Sequence, residues 1–147
     1  MYMRLLIMAI LSFFSMYLLM YAMVDSFSNI QNSFNEVYMA GLMTAPMILI
    51  EIVLMGSMYE IKQYNFIIAI LSLTLCILFF FAIRTQFAVG DAQFLRSMIP
   101  HHAGAILMCE NANIADSEIK QLCRNIVSGQ QKEIEQMKAI LERLQQK

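Results

Sequence analysis

The alternation of apolar and polar positions changes character near residue 86. Before that point lie three long apolar stretches, about residues 5–24, 37–58 and 66–83, joined by short polar connections, and Glu51 is the one charge inside them. At 1.5 Å per residue each is long enough to cross a hydrocarbon core of roughly 30 Å. The pattern predicts three transmembrane helices in a membrane domain over residues 1–86.

From residue 87 to 147 the apolar residues recur at helical spacing instead. At 100° per residue, Met98, His101, His102, Ala105, Met108 and Cys109 fall within roughly 140° of one helix face. A second helix carries the stripe Ile119, Leu122, Ile126, Met137, Ile140, Leu141 and Leu144, with Gln130 and Glu133 inside it. Lys120, Arg124, Gln131, Glu135, Lys138 and Glu142 take its opposite, solvated side. A turn near Ala115 and Asp116 would fold the two helices back to back, with His102 across from Gln130 and with Met98 and His101 within a turn of Glu133. The fold expected is all-α: three transmembrane helices followed by an antiparallel helical hairpin.

Local chemistry sharpens this outline. Asp116 is a candidate N-cap for the last helix, with Glu118 favourable at its positive end. Pro100 either opens a helix at its first turn or kinks a continuous one. In the second apolar stretch, Gly41 and Ala45 permit close helix approach, and Met39, Met43 and Met47 recur at a four-residue step that suits packing better than a metal path. Glu51 costs about 2.5 to 3.5 kcal/mol in mid-span on insertion scales, so it should face another helix, hold a proton or touch water.

Composition agrees with a membrane protein. The chain is 59% hydrophobic and 14% charged, too apolar for a soluble domain of 147 residues. The first stretch follows Arg4 and could serve as a signal peptide, but its length and the lack of a clear small-x-small cleavage pattern favour a retained anchor. Arg4 precedes the first span, no basic residue lies between Asp25 and Glu36, and Lys62 follows the second span. Positive-inside reasoning puts the N-terminus in the cytoplasm and the C-terminal hairpin outside it, against a single contrary vote from Arg84. The expected location is a bacterial inner (cytoplasmic) membrane, with the hairpin facing the periplasm or cell exterior.

An exported hairpin meets oxidising conditions. Cys76 sits in the third span as a small apolar group. Cys109 and Cys123 are equidistant from the turn, and three states stay open for them: a disulfide, a pair of thiolate ligands, or unpaired core cysteines.

The hairpin carries seven basic and seven acidic residues, so neither nucleic acid nor an anionic surface is indicated as partner. No Gly-rich phosphate loop, nucleophile elbow or Ser-His-Asp pattern occurs. A di-iron centre needs several inward carboxylates and Glu-x-x-His repeats, whereas the hairpin offers Glu133 alone. We therefore expect no enzyme. Two short helices bury little on their own, so pairing of hairpins into a homo-oligomer is expected. The chemistry that stands out is Met98, His101, His102, Glu133 and Met137, with Met108 and Gln130 as additional ligands or supporting groups. Thioether suits Cu(I), imidazole suits copper and zinc, and carboxylate suits harder ions, so the mixture favours copper. By residue type alone, a polar clasp of the histidines with Glu133 and Gln130 stands level with a metal site.

Asp91, Phe94, Met98-x-x-His101-His102 and Gln130-x-x-Glu133-Ile134-x-x-Met137 together resemble the pattern of the bacterial domain of unknown function 305 family. The resemblance covers about residues 90–146. It implies a ferritin-like antiparallel helical hairpin, often exported or membrane-tethered, with some relatives linked to copper binding and tolerance. It tips the balance toward copper as the cofactor, for extracytoplasmic buffering, delivery or tolerance. The alternative is a non-catalytic interaction module whose His, Gln and Glu cluster is structural. The residues do not name the protein that would donate or accept the metal.

Overall fold

A computed structural model of the chain describes residues 1–146. Every regular element among the described residues is helical: α1 (Tyr2–Leu19), α2 (Phe34–Leu54), α3 (Lys62–Thr85), α4 (Asp91–Asn111) and α5 (Ser117–Gln145). A 3-10 turn, Met20–Met23, prolongs α1. With that extension the three apolar helices run to 22, 21 and 24 residues, long and apolar enough to cross a membrane. The second begins at Phe34 and stops at Leu54, not at 37 and 58 as the apolar run suggests. Asn35 and Glu36 are tolerated in its first turn, where acidic side chains favour the positive helix end, and a 3-10 turn at Gly56–Met58 follows its last turn.

Contacts divide the chain into two compact units. The first joins Met1–Met20 to Asn35–Ala88, and the second joins Tyr21–Phe34 to the chain from Val89 onward.

In the first unit, Leu5 of α1, Ile52 of α2 and Tyr59 form a small core, with Tyr2, Met8, Ile48, Ile68 and Ala69 against it. Tyr2 donates its hydroxyl to Asn65 Oδ1 at 2.9 Å, and Asn65 Nδ2 donates to the Tyr59 carbonyl at 3.2 Å, so the polar groups of the α2–α3 connection satisfy one another. Glu51 meets its partner here: the Tyr59 hydroxyl donates to Glu51 Oε1 at 3.1 Å. Burial, then the hydrogen bond to Glu51 and its charge, hold the Tyr59 phenol above the ordinary tyrosine range. Farther along α2, Gly41 lies under the Phe79 ring of α3, where a Cβ would come within 2.5 Å of the ring edge. The large apolar side chains of α1 and α3 mostly face outward, as Leu11, Phe14, Ile70 and Leu78 do. Met39 and Met43 are exposed too, which fits a packing or lipid-facing role.

The second unit is built on α4 and α5. Leu95, Ile99, Ala103 and Ile106 of α4 bury against Ile134, Met137 and Leu141 of α5. Pro100 lies inside an unbroken α4, so no new helix starts there. Asp116 caps α5 as expected, its carboxylate accepting from Glu118 N at 2.9 Å and Ile119 N at 3.0 Å. The strap from Tyr21 to Phe34 belongs to the same unit. Its Val24 packs on the α4–α5 core, and Gln93 Oε1 of α4 accepts from Phe34 N at 3.0 Å.

The buried faces differ from those expected. Along α4 the core residues 95, 99, 103 and 106 share an arc of about 80° that lies beside the arc of Met98, His101 and Met108. His102 and Cys109 border the core, while His101 and Met108 are exposed. On α5, Ile119 and Leu122 are also exposed, at 49% and 56%. Ile119 lies beyond the end of α4, and Leu122 is rotated about 95° from the centre of the buried stripe. Ile134, absent from the expected stripe, is the most buried member of the observed one.

Candidate metal centre

His102 is held at the rim of the α4–α5 core by the packing of Ile99 and Ala103 on either side of it in sequence. Across from it stands Glu133, next to the buried Ile134. His102 Nδ1 lies 3.0 Å from Glu133 Oε2, with the imidazole mostly buried and the carboxylate half-exposed. The carboxylate oxygen is off the line along which a ring N–H could be donated, so the buried Nδ1 has no directional hydrogen bond. The contact is electrostatic when the ring is protonated. A neutral ring there leaves a buried nitrogen unsatisfied, which costs free energy unless a cation or donor joins it.

The partner is Glu133, not Gln130, which stands half-buried one turn earlier. Cα–Cβ bonds tilt toward the N-terminus of their own helix. His102 therefore reaches farther along α5 than simple counting from the turn suggests.

The other expected ligands are distributed around this pair. The His101 ring is exposed, its centroid 6.1 Å from that of His102. Met98 packs on the edge of the core, and Met137 lies within it at 9% exposure, its thioether among Ile and Leu side chains. Met108 is 54% exposed and away from the pair. Cys109 and Cys123 are joined as a disulfide, with their Cα atoms 5.3 Å apart. Among the described residues no three His, Cys, Asp or Glu side chains converge on a point where one metal ion could be held. One chain thus offers His102 and Glu133 in contact, with His101 adjacent to His102 on α4, a partial fit to a metal site. Met137 fits packing.

The strap was not legible as part of this unit. Its Asn29 is 4% exposed and donates to Asp25 Oδ1 at 2.7 Å. The short run Asp25-Ser26-Phe27-Ser28-Asn29 is a turn signal in the sequence, but nothing in its pattern reveals what it packs on.

Comparison with known proteins follows this division. Residues 84–147 match the family described as domain of unknown function (DUF305). The chain is also 39% identical over 140 residues to uncharacterized protein L153 of Acanthamoeba polyphaga mimivirus, covering 93% of this chain and 90% of that protein. The chain belongs to this family. Its DUF305 domain takes in α4 and α5, and the viral match extends well into the apolar helices, so the combination of the two is shared. No solved structure matches the chain.

Proposed function

We propose that this DUF305 protein is a membrane-anchored metal-binding protein, with copper the favoured metal, acting in extracytoplasmic buffering, delivery or tolerance. In this reading α4 and α5 form a ferritin-like antiparallel hairpin on the non-cytoplasmic side of the membrane. The placement of Arg4 and Lys62 supports that orientation, and the Cys109–Cys123 bond is in keeping with an oxidising compartment. The observation that carries the metal reading is the buried, hydrogen-bond-poor Nδ1 of His102 beside the Glu133 carboxylate. A cation between them would satisfy both. His101, next to His102, and Met98, one helical turn before it, would add an imidazole and a thioether, donors that suit copper. Since one chain presents an incomplete set, a second copy supplies the remaining donors. Exposed Phe94, Met108, Ile119 and Leu122 give the domain apolar surface for such pairing.

A second reading has its own observation. The 3.0 Å contact of His102 with Glu133 and the burial of Met137 also describe a structural clasp in an interaction module. Copper analysis of the full chain in detergent separates the two. The metal reading expects copper to be retained by wild type, to fall at least tenfold in affinity in His101→Ala/His102→Ala, and to weaken on acidification as protons compete for imidazole. Unchanged copper binding in the double variant, together with lost thermal stability, would leave the clasp.

A further inference from the structure

At the other end of the helix pair from Leu95 and Leu141, the Cys109–Cys123 disulfide opens onto a groove of about 450 Å³. Both sulfurs belong to half-buried residues that line it, with Lys120, Arg124 and Glu110 at its edge and Ile114 as an apolar wall. The bond lies outside the main core, whose buried members run from Leu95 to Ile106 and from Ile134 to Leu141. The two helices are therefore packed together by contacts that do not depend on it. A cross-link that served only to staple the pair would need neither an open groove nor flanking cations.

We propose that Cys109–Cys123 is a thiol–disulfide exchange centre whose groove accepts a small anionic thiol. Lys120 precedes Cys123 by one helical turn and Arg124 follows it directly, and both residues line the groove onto which the disulfide opens. Arg124 is steadied by Gln121, whose Oε1 accepts from its Nε at 3.1 Å. Glu110 is the one acid in the groove, beside Cys109. Nearby cations stabilise a thiolate, and a better-stabilised leaving thiolate departs faster. The volume is within the range of small-ligand clefts.

The chemistry runs in two displacements. An incoming thiolate R–S⁻ attacks Cys109 Sγ, the Sγ–Sγ bond breaks, and its electron pair leaves on Cys123 Sγ as a thiolate beside Lys120 and Arg124. A second R–S⁻ attacks the R sulfur of the mixed disulfide and releases Cys109 as a thiolate. Two R–SH become R–S–S–R, and the protein disulfide gains two electrons and two protons as a dithiol. No metal takes part, so the proposal stands apart from the copper reading.

The test uses the full oxidised chain in detergent micelles with a chelator present. Glutathione, an anionic thiol, and cysteamine, a cationic one, are compared at equal thiolate concentration, and the appearance of free Cys109 and Cys123 is followed by alkylation and mass. The expected results are reduction of the folded protein at least as fast as of the urea-unfolded chain, unchanged helix content after reduction, and a glutathione rate about tenfold above that of cysteamine. Lys120→Gln/Arg124→Gln, at two exposed positions, should bring that ratio close to one at an unchanged thermal midpoint. Reduction that requires unfolding, loss of helix on reduction, or a thiol preference untouched by the double substitution would each overturn the proposal and leave a structural cross-link.

Discussion

Ile134 and Leu122 exchange roles between the apolar pattern of α5 and the packed structure, and truncating each to alanine tests which assignment governs stability. Ile134 is 1% exposed and packs between Ile99 and its neighbours, whereas Leu122 is 56% exposed. Each substitution removes three carbons. At about 0.8 kcal/mol per buried methylene, Ile134→Ala forfeits about 2.4 kcal/mol of transfer free energy. The cavity left in a rigid helix–helix seam raises this to about 3 to 4 kcal/mol. Leu122→Ala removes groups already more than half in water, and alanine is the better helix former, so its cost is about 1 kcal/mol or less. A difference of about 2 kcal/mol corresponds to roughly thirtyfold in the folding equilibrium. Urea unfolding of the full chain, one copy per micelle, with proteolysis of the opened α4–α5 unit as the readout, measures both. Equal costs, or a larger cost at Leu122, would refute the assignment of the buried face.

Other consequences follow from single contacts. Asp116→Ala removes the acceptor for two amide donors and a charge at the positive end of α5, and should lower the stability of the same unit by about 1 kcal/mol in that assay. Gly41→Ala puts a methyl group into the Phe79 ring and should destabilise the membrane unit by about 1 to 3 kcal/mol in detergent unfolding, with most of the loss recovered in Gly41→Ala/Phe79→Ala. In an ultraviolet pH titration Tyr59 should ionise above the ordinary tyrosine range, and Tyr59→Phe should remove that component. Because its folded-state pKa is raised, its contribution to stability is complete below the unfolded tyrosine pKa of about 10 and is lost as pH climbs through the folded value.

The apolar helices were the most legible part of the chain, because a run of about twenty uncharged residues admits few other structures. Their ends were less so. Local hydrogen bonding at Asn35, Gly56 and Asn65 fixes where backbone groups are satisfied, and mean apolarity is blind to it. The cap at Asp116 was readable because its chemistry is local. The strap was not: Val24 and Phe34 make their contacts with residues of α4 and α5 that lie 59 or more positions away, and no short-range pattern encodes that distance.

The site divides along the same physical line. A polar meeting of the two helices could be anticipated, since polar groups on inward-turned arcs must find one another, but counting from the turn paired His102 with Gln130 and the structure pairs it with Glu133. The buried arc of α4 lies about 110° from the face that carries Met98, His101 and Met108, because Leu95, Ile99, Ala103 and Ile106 hold the plainer four-and-three spacing of a core. That rotation decides the meaning of the methionines. A thioether on the core arc, as at Met137, is first of all volume between helices, and exchanging it for leucine is nearly volume-neutral. A thioether on the rim, as at Met98, shares its arc with His101 and can serve as packing and as a donor. Met137→Leu should therefore leave stability within about 1.5 kcal/mol of wild type, and on the proposed copper reading it should leave affinity unchanged, whereas Met98→Leu should keep the stability and weaken Cu(I) selectively. Equal loss of Cu(I) affinity in the two variants would place both thioethers at the metal and require the core to open when it binds.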